Sequence, residues 1–146
     1  MPTIHRSAIV NYSPEQLYDL VNNINEYKNF VPWCVDSIVH TQTETEMRAT
    51  LTFSAKGIKK SFTTLNKLTT NTAIEMNLID GPFKYLHGIF KFERRDNNKT
   101  EITFDLSFEL SNKIFAMMYG PLFQQVAASL VDAFVKRAKE IYGENQ

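Results

Sequence analysis

From Ser111 to Tyr142 the apolar residues return at every fourth position, and this pattern limits the possible folds more than anything else in the chain. Ile114, Met118, Leu122, Val126, Leu130, Phe134 and Ala138 form one apolar row. Phe115, Tyr119, Phe123, Ala127, Val131 and Val135 form a second row beside it, and Gln124, Gln125, Asp132, Lys136, Arg137 and Glu140 occupy the rest. The spacing predicts one long amphipathic helix with a broad apolar face. Four residues turn a helix by roughly 400°, so each row creeps about 40° per step. The apolar stripe therefore winds around the axis, as a helix seated in a twisted sheet requires. Gly120-Pro121 interrupts the pattern. Proline removes a backbone donor and clashes with the preceding turn, so a kink or break is expected there.

Ahead of this helix the period is two. Met47, Ala49, Leu51, Phe53 and Ala55 alternate with Arg48, Thr50, Thr52 and Ser54. Ile102, Phe104, Leu106, Phe108 and Leu110 alternate with Glu101, Thr103, Asp105, Ser107 and Glu109. Each run reads as an antiparallel-type strand with one buried and one wet face. Weaker strands are read at Asp36 to Thr43, Ile58 to Leu68, Ala73 to Ile79 and Tyr85 to Glu93, with hairpin-length breaks at Thr43-Thr45, Lys56-Gly57, Thr69-Thr72 and Asp96-Asn98. Asp80-Gly81-Pro82 reads as a rim loop. A first strand covers Thr3 to Tyr12. Ser13-Pro14-Glu15-Gln16 then starts a helix, with Ser13 as cap, Pro14 at the first helical position and Gln16 completing a capping box. A second short helix, Asn25 to Phe30, must end before Val31-Pro32.

The order is strand, two short helices, six strands in a meander, one long helix. A seven-stranded antiparallel sheet with one apolar face needs a cover, and the winding helix supplies it. The expectation is an α+β helix-grip fold with a cavity between sheet and helix, over a single domain spanning residues 1–146. Eleven Phe in such a chain point to a large apolar interior. Sixteen basic and sixteen acidic residues cancel, so no global charge directs the chain to DNA or to an anionic membrane. Met1 to Val10 has no apolar core of the signal-peptide kind, and the longest mostly apolar run, Ile114 to Phe123, is about half a bilayer span. A soluble, cytoplasmic protein is expected.

Four stretches bring a family resemblance: Tyr27 to Cys34 (YKNFVPWC), Gly57 to Leu68 (GIKKSFTTLNKL), Met76 to Lys84 (MNLIDGPFK) and Val131 to Gly143 (VDAFVKRAKEIYG). Together they make the chain resemble the START-like superfamily, which includes polyketide cyclases. Within it the chain is similar to the coenzyme Q-binding group, whose bacterial branch includes ribosome-association toxins. The chain starts at the first strand, without the N-terminal extension of mitochondrial relatives, which favours the bacterial branch. The resemblance implies ubiquinone or a similar isoprenoid lipid as ligand, a role in respiration, and a place peripheral to the inner membrane with transient contact to its surface. As a competing class it implies docking on the large ribosomal subunit and blocking of subunit joining, an activity of the toxin–antitoxin type.

Catalytic chemistry has little to stand on. His5, His40 and His87 fall on three separate strands without Cys, Asp or Glu at ligand spacing, and Cys34, the single cysteine, has no nearby base. No catalytic or metal residue is therefore assigned, and a non-enzymatic role is expected. The inward faces instead offer Phe30, Trp33, Phe62, Met76, Leu78, Phe90, Phe104 and Phe108, joined by Phe115, Met118, Leu122 and Val126 from the helix. Aromatics and Met give large, adaptable surface for a flat or flexible apolar ligand. Met118 and Leu122 are expected to line the cavity, and Leu130 and Phe134 to be structural. Polar partners for a head group are few: Tyr119, Thr64, Asn66 or backbone amides near Gly81. Basic residues gather at Lys56, Lys59, Lys60 and Lys67, at Lys91, Arg94 and Arg95, and at Lys136, Arg137 and Lys139. For a ribosomal contact the candidates are Lys59, Lys60 and Lys67.

Overall fold

The computed structural model describes residues 3–55, 57–96 and 98–143, so Lys56 and the middle of the turn expected at residues 96–98 lie outside it. Strand β1 is Thr3–Val10. Helix α1, Pro14–Asn22, begins as its sequence dictates: Ser13 Oγ accepts from the Gln16 amide at 3.1 Å and Gln16 Oε1 accepts from the Ser13 amide at 3.0 Å. A 3-10 segment, Ile24–Asn29, follows. The meander then runs β2 Cys34–Gln42, β3 Glu46–Ala55, β4 Ile58–Thr69, β5 Ala73–Asp80, β6 Phe83–Asp96 and β7 Lys99–Leu110. All seven strands join one antiparallel sheet, ordered β1-β7-β6-β5-β4-β3-β2, with β1 and β2 at its edges. This is the helix-grip architecture.

Alternation settles which side chains reach the concave face. On β7 Ile102, Phe104, Leu106, Phe108 and Leu110 are all buried, and the residues between them are half-buried. Phe90 of β6 stacks on Phe104 with centroids 4.3 Å apart. Phe134 meets Phe90 edge to face at 5.6 Å and closes this end of the core. Two tyrosines tie the chain's end to its beginning: Tyr12 donates to the Gly143 carbonyl at 2.7 Å, and Tyr142 to the Gln16 carbonyl at 3.0 Å.

The covering helix corrects the expectation of a break at Gly120-Pro121. It is two helices, α2 Lys113–Ala128 and α3 Leu130–Tyr142, bent by 42° at Ser129, and Pro121 lies inside α2 without ending it. A proline here deprives only the carbonyl four residues earlier, that of Met117. Met117 is 77% exposed, so that carbonyl lies on the solvent side of the helix, where the loss is least costly. At Ser129 the hydroxyl donates to the Val126 carbonyl at 2.8 Å, competing with the helical pattern where the axis must turn to follow the sheet.

Candidate ligand-binding site

Between sheet and helices lie two adjacent apolar chambers that share part of their lining. The inner one, about 760 Å³ counting the space it shares with open solvent, is lined from the sheet by Ala49, Leu51, Thr64, Asn66, Ile74, Met76, Leu86, Phe90, Phe104 and Leu106. Val21, Ile24, Tyr27 and Val31 cover it at one end, and Ala127 and Leu130 roof it. The outer one, about 560 Å³ counting its open mouth, is bounded by Trp33, Ala55, Ile58, Lys60, Pro82, Phe83, Leu110, Phe115, Tyr119 and Leu122. Phe53, Phe62, Phe123 and Val126 line both. Phe123 reaches down from α2 into an aromatic cluster, with Phe108 at 4.8 Å, Phe83 at 5.2 Å, Phe62 at 6.2 Å and Phe53 at 6.4 Å. It is the neck between the chambers.

The mouth has its own chemistry. Trp33 is half exposed and held at φ +69, in the left-handed region that costs a side-chain-bearing residue roughly 1–2 kcal/mol. The rim loop depends on Gly81 at φ +148, where a Cβ would sit 2.5 Å from Phe62 Cβ. Only glycine lets this loop close onto the aromatic wall. Lys60 Nζ lies 5.6 Å from the Phe115 ring centroid, so the one cation of the mouth among the described residues rests against an aromatic face.

Of the residues picked from sequence, Trp33, Phe62, Phe115, Leu122 and Val126 meet in the outer chamber, and Phe62, Met76, Phe90, Phe104 and Val126 in the inner one. Four do not line either, and one of them, Leu78, is partly buried against the core. Phe30 is wedged between Tyr27 and Phe134, with the Arg137 guanidinium 5.2 Å above it. Phe108 faces inward but is covered by Phe83 and Phe123. Met118 is 51% exposed, because the creep of its row has carried it off the sheet-facing side. Leu130, expected to be purely structural, is part of the inner wall, whereas Phe134 is fully buried packing. The choice missed Phe53 and Phe123, although both sit at inward positions of their patterns. Nothing in the sequence marks Phe123 as a divider, since that follows from how deeply α2 sits in the sheet.

Apart from Lys60 and Tyr119 in the outer lining and Tyr27 in the inner one, the described titratable groups lie away from the chambers. Cys34 is buried, its thiol pushed up to about 11 by desolvation, so it stays protonated at neutral pH. His87 and Glu75 pair at 2.7 Å on the opposite face of the sheet, and the hydrogen bond from His87 lowers the Glu75 carboxyl. Among the described residues no three of His, Cys, Asp and Glu converge as metal ligands. Part of the basic clusters is paired: Arg94 with Glu15, Arg95 with Glu101 and Glu93, and Arg137 with Glu26 and Glu140. Lys59 and Lys67 share the outer face of β4. Lys67 stands in register between Glu46 and Glu75, while Lys59 has no ion pair among the described residues. Lys60 faces the other way, into the mouth.

Comparison with known proteins places this geometry. The sequence profile of the family described as polyketide cyclase / dehydrase and lipid transport matches residues 10–135. The ribosome association toxin RatA of Escherichia coli (strain K12) is 46% identical over 142 residues, spanning 97% of this chain and 90% of that protein. The mitochondrial coenzyme Q-binding protein coq10 of Schizosaccharomyces pombe is 28% identical over 140 residues, spanning 91% of this chain and 84% of that protein. A START superfamily protein from Mycobacterium smegmatis superimposes with a TM-score of 0.78 at 18% identity, covering 95% of this chain and 98% of that one.

Proposed function

The chain belongs to the polyketide cyclase / dehydrase and lipid transport family, and from that membership we propose that it is a non-enzymatic, cytoplasmic domain that holds ubiquinone or a similar isoprenoid lipid. The observation that carries this reading is the pair of apolar chambers that meet at Phe123, one opening at Trp33 and one lined by Phe90, Phe104 and Met76. A flat ring and a flexible isoprenoid tail fit two chambers that meet at a neck better than a compact charged metabolite does. The similarity to a protein named as coenzyme Q-binding supports the same ligand class. Ile114, Met117 and Met118 stay exposed on the first turns of α2, next to the mouth residue Phe115, and suit a transient contact with a membrane surface from which a lipid is taken.

The test uses the sole tryptophan. Trp33 stands at the mouth, so a short-chain ubiquinone analogue should quench its fluorescence saturably. Leu122→Glu places a charge in the outer wall and should abolish that saturation while the far-ultraviolet circular dichroism stays unchanged. Linear, unsaturable quenching in the parent would overturn the reading.

A second reading is favoured by the 46% identity to a ribosome association toxin over nearly the whole chain: association with the large ribosomal subunit, blocking subunit joining. The contact proposed is the outer face of β4 at Lys59 and Lys67, with Lys60 turned toward the mouth. Sedimentation with purified large subunits decides it. Absence of co-sedimentation at low salt removes the ribosomal role and leaves lipid binding standing.

A further inference from the structure

Strand β4 breaks its own pattern on the buried side. Its inward positions run Lys60, Phe62, Thr64, Asn66 and Leu68, so besides Lys60 at the mouth two polar residues stand where the neighbouring strands place apolar ones. In register, Asn66 lies between Met47 of β3 and Met76 of β5, and Thr64 between Ala49 and Leu78. Asn66 is 1% exposed and lines the inner chamber. Its amide is held in one orientation, because Thr64 Oγ1 donates to Asn66 Oδ1 at 2.8 Å. That leaves Nδ2 without a hydrogen-bond partner among the described residues. Folded chains seldom tolerate a buried donor with no acceptor, and positions that break a local rule tend to be functional ones.

We propose that Asn66 is the polar anchor of the inner chamber, donating a hydrogen bond from Nδ2 to a carbonyl oxygen of a flat apolar ligand. The inference rests on the lipid-binding reading above and extends it to an orientation. The carbonyl-bearing ring enters first and stops at Asn66, between the walls formed by Phe90, Phe104 and Met76. The tail passes the neck at Phe123 and leaves by the mouth at Trp33. Thr64 is a positioning residue here, since its hydroxyl fixes which end of the amide faces the chamber. The class of ligand follows from the chemistry: a ring carrying an acceptor and no charge, because none of the described residues lining the inner chamber is ionic and able to balance one. A quinone satisfies this, whereas a fatty acid, whose carboxylate would seek Lys60 at the mouth, does not.

Two probes separate the anchor from the pocket: a short-chain ubiquinone analogue, and an isoprenyl-substituted benzene of similar size with no carbonyl. The parent should bind the quinone more tightly than the hydrocarbon. Asn66→Leu should lose about tenfold in quinone affinity, the order expected for one buried hydrogen bond, and keep its affinity for the hydrocarbon. Should that variant fail to fold, the parent alone suffices. The side-chain amide resonances of Asn66 in a 15N-labelled sample should move on adding the quinone and hold still on adding the hydrocarbon. Equal affinity of parent and variant for the quinone, or Asn66 resonances that ignore it, would overturn the anchor while leaving lipid binding intact. Binding of neither probe by the parent would overturn both.

Discussion

The rings of Phe108 and Phe123 meet with centroids 4.8 Å apart and planes inclined at 68°. Together with the contacts of Phe123 to Phe83, Phe62 and Phe53, that edge-to-face contact fastens α2 to the sheet where one chamber ends and the next begins. It also explains why Phe108, inward by its alternation, touches no open space: α2 sits deep enough to cover it.

The far end of the core rests on the Phe90, Phe104 and Phe134 stack. Phe104→Ala and Phe134→Ala should each destabilise the fold by roughly 3–5 kcal/mol, as truncations of fully buried aromatic residues do. Urea unfolding followed by circular dichroism measures this, and a near-neutral midpoint for either variant contradicts the packing.

Pro121 lies inside α2 and the bend lies at Ser129, so removing the proline should relieve a penalty and leave the axis unchanged. Pro121→Ala is expected to raise stability, by at most about 3 kcal/mol, the propensity gap between the two residues inside a helix. A loss of stability would mean that the proline shapes the mouth.

Gly88 leaves room for its neighbours' side chains: a Cβ there would meet Met76 Cε at 2.7 Å and Leu106 Cδ1 at 3.1 Å. Both neighbours line the inner chamber, so Gly88→Ala should shift the flexible end of Met76 into it. The expected result is weaker uptake of the quinone analogue, with an overpacking cost of about 1–3 kcal/mol. Unchanged affinity would show that the ligand stops short of the inner chamber.

Cys34 gives a pH prediction with a definite sign. Its thiol is raised from 9.0 to about 11 by burial. Below pH 9 the thiol is neutral both folded and unfolded, so its contribution to stability is fully present. Between pH 9 and 11 the unfolded thiol ionises while the folded one is held protonated, and stability falls across that window. Tyr18, Tyr27 and Tyr142, also raised chiefly by desolvation, add to the loss at higher pH. Cys34→Ala should remove the part of the loss that begins before pH 10. Iodoacetamide at pH 8 should label the folded thiol at least about a hundredfold more slowly than the unfolded one.

For the ribosomal reading, reversing Lys59 and Lys67 to Glu should weaken association with large subunits and leave uptake of the quinone analogue alone. Each phosphate contact contributes roughly 0.7–0.9 to the salt slope, so losing two should flatten it by about 1.4–1.8. Leu122→Glu should show the reverse pattern.

Local rules were enough for the elements themselves. Period two over β3 and β7, the capping box at Ser13 to Gln16 and the four-residue rows from Ser111 onward each follow from backbone geometry and side-chain burial within one segment. The order of β2 to β7 was legible as well, because hairpin-length turns permit little but a meander, whereas the place of β1 beside β7 came only with the structure. The helix break was not, since Pro121 announces itself in the sequence while its cost depends on whether the deprived carbonyl faces solvent. The site divides in the same way. Alternation put Phe62, Phe90, Phe104 and Met76 on the inner face and named Asn66 as polar among them. Only the depth at which α2 and α3 seat in the twisted sheet decided that Phe123 fills a neck, that Met118 faces out and that Leu130 faces in. Such depth is fixed by all the side chains between helix and sheet at once, and no periodicity within one strand or one helix records it.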